Sequence, residues 1–175
     1  MVENDRRRYV REMKTQLPSP EEILEGEQQA LIGRLRQLWI QLAIWSRALI
    51  VSAAGSLGDI QAITDRLMEI PDISAAAALI TAEKNNDIAT VNQETENLYA
   101  NADRIAGYLV GINSYWDLEQ WKDFLDDYIE IFLAGLVARL EGNYPGEITI
   151  FDDLQNQAIK IADYMAQGIM QKFHP

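Results

Sequence analysis

One stretch, Leu31 to Ala54 (LIGRLRQLWIQLAIWSRALIVSAA), limits this chain to very few architectures. Leu31, Leu35, Leu38, Leu42, Trp45 and Leu49 recur in steps of four and three, so in a helix they stack as one heptad-like seam that other helices must cover. Beside the seam run Ile32, Trp39, Ser46 and Ala53, and further round Ile40, Ile44 and Val51, which leaves the second half apolar on nearly every side. Such a helix lies at the centre of a bundle or in a membrane. The run from Leu38 to Ala54 approaches the length of a bilayer span, but Gln41, Ser46, Arg47 and Ser52 interrupt it. An arginine near the middle of a span costs on the order of 2.5 to 3.5 kcal/mol. The expectation is therefore a helix wrapped by partners, with no membrane span and with both tryptophans in the core.

Helix boundary signals follow along the rest of the chain. Residues 1–18 form a basic arm, with a short helix expected around Arg6 to Lys14 and a stop at Leu17-Pro18-Ser19-Pro20. Ser19, Pro20 and Glu22 spell a capping box that opens a long helix to about Ala54, ended by Gly55-Ser56-Leu57-Gly58. Asp59 can cap a short helix, Ile60 to Glu69, which Pro71 stops. A second short helix, Ile73 to Lys84, contains the small residues Ala75 to Ala78, and Lys84-Asn85-Asn86-Asp87 suits the tight turn of an αα-hairpin, with Asn86 or Asp87 as the next cap. Ile88 to Ile112 follows, then a helix capped by Asp117 with Gln120 and ended near Gly142, then a last helix from Tyr144. Ile148-Thr149-Ile150-Phe151 taken alone has strand character, but a lone strand has nothing to pair with. The sum is an all-α, up-and-down bundle of four long helices plus two short ones, residues 19–175 making one domain.

Composition removes most catalytic chemistry. The chain has no cysteine, and its single histidine is His174, beside the C-terminus. No Ser-His-acid or Cys-His arrangement fits inside the domain, no closed zinc site can form from Cys and His, and neither a phosphate-binding loop nor a dinucleotide fingerprint is present. A net charge of -12 opposes general binding to nucleic acid or anionic lipid. The absence of cysteine and of a secretory h-region fits a cytoplasmic protein.

Carboxylates are what remains. Asp123, Asp126, Asp127 and Glu130 on the fifth helix, Asp152 and Asp153 on the sixth and Asp103 on the fourth suggest two readings: an oxygen-only site for Mg²⁺, Ca²⁺ or Mn²⁺ built on Asp103, Asp127 and Asp152, or a solvated acidic face. No catalytic residue and no cofactor is assigned. Charge is also uneven: residues 1–16 carry five basic against three acidic side chains, whereas 117–153 carry two against ten. Either the arm docks on its own domain or on a neighbouring copy, or tail and face are both solvated. Tyr99, Tyr108, Tyr115, Trp116, Trp121 and Tyr128 gather around one connection, as a packed bundle end or as an interface.

Four segments carry a resemblance: Leu38-Trp39-Ile40-Gln41 with Trp45-Ser46-Arg47; Gly58 to Leu67; Tyr99 to Trp116; and Ala162-Asp163-Tyr164-Met165. They resemble a family of uncharacterised small helical proteins from Gram-positive bacteria, some of whose members carry the label acetylglutamate kinase. The resemblance covers most of the chain after residue 30, and no motif here supports the label. Family members tend to have His where this chain has Leu42 and Tyr128, and a longer second helix with a Glu-His pair. If the family interior holds a His and carboxylate metal site, the resemblance makes Asp103 and Asp152 its remnants. It then implies a packing or assembly role, as a homo-oligomer or with a protein partner, and the brevity of the third helix points the same way.

Overall fold

The computed structural model describes residues 19–68 and 74–173. The basic arm, residues 1–18, and His174 lie outside the described residues. The fold is all-α: α1 (Pro20–Gly55), α2 (Ile60–Met68), α3 (Ser74–Lys84), α4 (Ile88–Ile112), α5 (Leu118–Leu140) and α6 (Tyr144–Phe173), with no strand among the described residues. Residues 148–151 are helical: within α6 the backbone is paired without a partner strand, Phe151 packs against the core and Ile148 stays exposed.

Each boundary has a local cause. Ser19 sits in extended backbone and accepts from the Glu22 amide at 3.1 Å, while the Ser19 amide donates to Glu22 Oε2 at 2.6 Å. Two orphan donors of α1 are thereby satisfied. At the other end Ser56 turns left-handed (φ 52°) and Leu57 N–H donates back to Ser52 O at 2.9 Å. Asn86 (φ 55°) closes α3, and Asp87 rather than Asn86 caps α4 by accepting from the Thr90 amide. Asp117 accepts from the Gln120 amide at 2.9 Å to start α5, and Gly142 takes φ 75° just past its end. Asp59 stands at the entry of α2, where its carbonyl accepts from the Ile63 amide at 3.0 Å, and its carboxylate accepts from Ser52 Oγ at 2.5 Å, tying that entry back to α1.

α1 packs along α6, α6 along α5, α5 along α4 and α4 along α3, with α2 and α3 laid against the C-terminal half of α1. Two clusters make the core. The larger joins Ala43, Leu49 and Ile50 of α1, Leu67 of α2, Leu79 and Ile80 of α3, Phe132 and Leu136 of α5, and Leu154 and Ala158 of α6. The smaller joins Ala102 and Ala106 of α4, Trp121 and Leu125 of α5, and Ile161 of α6, with Trp116 before α5. Trp39 and Tyr128 border both and meet edge to face, ring centroids 6.4 Å apart.

The phase of α1 differs from the leucine seam. Its most buried positions are Ala43, Ser46, Leu49, Ile50, Ser52 and Ala53, so the stripe through Trp39, Ser46 and Ala53 faces inward, while Leu38 is 61% exposed. The reason is chemical: a helix apolar on every side has no phase of its own, and the partners α6 and α5 choose the face with small residues that lets them approach closely.

At the narrow end of the bundle the Trp116 ring lies over Gly168, where an added Cβ would fall 1.9 Å from Trp116 Nε1. Gly168→Ala is therefore expected to displace the indole and destabilise the fold by about 1–3 kcal/mol. Urea unfolding checks this; an unchanged midpoint would show that the ring yields freely.

Candidate functional site

The three carboxylates singled out for a metal have separate partners. Asp103 is exposed on α4 and ion-paired to Lys122 of α5 at 3.0 Å. Asp127, exposed on α5, accepts from Gln157 Nε2 at 3.4 Å, while the same nitrogen donates to Phe124 O at 3.0 Å. Asp152 is exposed on α6. Among the described residues no group of three or more Asp, Glu, His or Cys side chains is placed to hold a metal ion. Leu42 and Tyr128 both pack against the larger core cluster, where the Tyr128 hydroxyl lies 3.2 Å from Ser46 Oγ. Burial pushes the Tyr128 phenol well above its ordinary range, opposed by that hydrogen bond.

The α4–α5 face is nevertheless electrostatically strained. Asp126 is raised above the usual carboxylate range by desolvation, then by Asp103 and Glu130. Tyr99 is raised by burial, then by Glu130 and Asp126. Lys122 is raised chiefly by its hydrogen bond to Asp103. One lysine thus serves several carboxylates, and the remaining repulsion is carried by solvent.

The one strongly buried acid among the described residues is Glu147, in the first turn of α6 and 2% exposed. Arg47 of α1 grips it with two bonds, Nε to Oε1 at 2.6 Å and Nη2 to Oε2 at 3.0 Å, and Arg139 of α5 stands 3.8 Å away. Arg47 also lies over the Phe151 ring at 5.1 Å and Arg139 over Tyr144 at 4.8 Å. Nothing in the residues around Glu147 marks it beyond its place in a first helical turn, where negative charge meets the positive helix end. Paired in this way, the cluster clamps three helices together. At the opposite end Trp116, Trp121, Phe124 and Tyr164 stack edge to face at 5.3–5.5 Å, and Tyr164 Oη accepts from the Asp117 amide.

What the fold does expose is apolar surface on α1 and α4. α3 is 11 residues long, and its last residue, Lys84, reaches the Ala53 carbonyl at 3.2 Å and the Ser56 hydroxyl, so it flanks only the C-terminal half of α1. Beyond its start, α1 and α4 share no packed interface. Asp103 marks the α5 side of α4; the stripe facing α3 is a different one, bearing Thr90 and Leu98. At helical spacing that stripe continues through Asn101, Ile105, Tyr108 and Ile112, the last three exposed by 37%, 69% and 46%. On α1, Arg36 and Arg47 mark the α6 side, and the stripe away from it continues from Leu49 and Leu42 through Leu38, Leu35 and Leu31. Leu31 and Leu35 are half-buried. The aromatic gathering is thus divided: Trp116 and Trp121 form a packed end, while Tyr108 and Tyr115 face solvent.

α1 is also the one described helix long and apolar enough to cross a membrane by length and composition; here it packs against α6, α5, α2 and α3. No family model, curated protein or solved structure matches the chain.

Two predictions follow from these charges. Because the folded-state pKa of Asp126 lies above its unfolded value, its charged form costs stability at neutral pH, and stability recovers as pH falls through that folded value towards the unfolded one. Asp126→Asn is expected to raise the thermal midpoint at pH 7 with the gain shrinking under acid; a gain independent of pH contradicts the assignment. Arg47→Met leaves Glu147 buried with one distant partner and is expected to cost about 3–5 kcal/mol in chemical unfolding, most of it recovered when Glu147→Leu is added. No recovery in the double variant would mean that Arg47 acts through its packing on Phe151.

Proposed function

We propose that this is a non-catalytic, soluble helical bundle of the cytoplasm that works by association, with itself or with a protein partner, through the apolar surface on α1 and α4. The observation that carries the reading is the apolar surface the bundle leaves uncovered: Leu38 of α1 and Ile105, Tyr108 and Ile112 of α4 are exposed, on stripes that continue from Leu42 and Leu98, which pack against the larger cluster. Exposed contiguous apolar surface of this kind marks interaction sites, and aromatic side chains such as Tyr108 are the type that anchors them. A helix laid lengthwise on this surface would cover it by its own apolar face, as in the helix-in-groove mode of recognition. The charged groups favour the same reading, since Glu147, Arg47, Asp103 and Lys122 are all committed to one another.

The test is the oligomeric state of the full chain. Light scattering at micromolar concentration is expected to give an oligomer of defined mass, and Leu38→Arg with Ile105→Arg is expected to return it to monomer while circular dichroism stays unchanged. A monomeric wild-type chain, or an oligomer indifferent to the double substitution, overturns self-association through this surface.

A further inference from the structure

We draw no further inference here: the strongest candidate, the exposed apolar surface patch at Leu38 of α1 and Ile105, Tyr108 and Ile112 of α4, belongs to the association surface already described, and nothing in the structure shows what covers it.

Discussion

A carboxylate removed from water must be matched in charge and hydrogen bonds, and the arrangement of the three best-packed helices depends on how Glu147 meets that requirement. Its partners come from two other helices, Arg47 from the middle of α1 and Arg139 from the end of α5, so α6 can begin only where both guanidinium groups reach it. The Arg36–Asp163 pair, bidentate at 2.6 and 2.7 Å, repeats the contact further along α1 and α6 and makes the two helices antiparallel. Arg47 is the same residue that makes a membrane span unfavourable. Inside the bundle its charge is matched by Glu147 and its flat face by Phe151, which lets a long apolar helix carry an arginine among its neighbours.

Helix ends were far more legible in the sequence than helix faces. Ser19, Asp117 and Gly142 act within three residues of themselves, through hydrogen bonds that local spacing determines. The face of α1 is a tertiary property. Leu31, Leu35 and Leu38 share the spacing of the buried Leu49, yet burial depends on whether a neighbour exists at that height, and the neighbour α3 is only 11 residues long. The carboxylates show the same limit. Asp103, Asp127 and Asp152 were grouped by composition, whereas their helices turn them towards Lys122, Gln157 and solvent. Glu147 escaped notice because nothing in its immediate sequence records that two arginines, 100 positions before and eight positions before, converge on it.

The two ends of the core differ in how completely they are satisfied. Around α2 and α3 small and branched side chains close the space, and the polar groups present, such as Ser52 and Lys84, find partners. At the Trp116 end both indole nitrogens, on Trp116 and Trp121, are buried without an acceptor among the described residues. Each such group costs about 1–3 kcal/mol, and edge-to-face stacking at 5.5 Å, worth about 0.5–1.5 kcal/mol, offsets only part of it. The tight seat of Trp116 on Gly168 then matters more, since it is what keeps the rings packed.

This less satisfied end is also the end beside the exposed apolar surface of α1 and α4. Burying an exposed Leu or Ile side chain is worth about 1.5–3 kcal/mol, so Leu38, Ile105 and Ile112 together represent a substantial stabilisation that the single chain leaves unrealised. Lengthening α3 would supply it within one chain but would close the ring permanently. A short α3 leaves the same surface uncovered in the single chain, so Leu38, Ile105 and Ile112 keep an exposure that Leu49 and Leu79, at the height of α3, do not have.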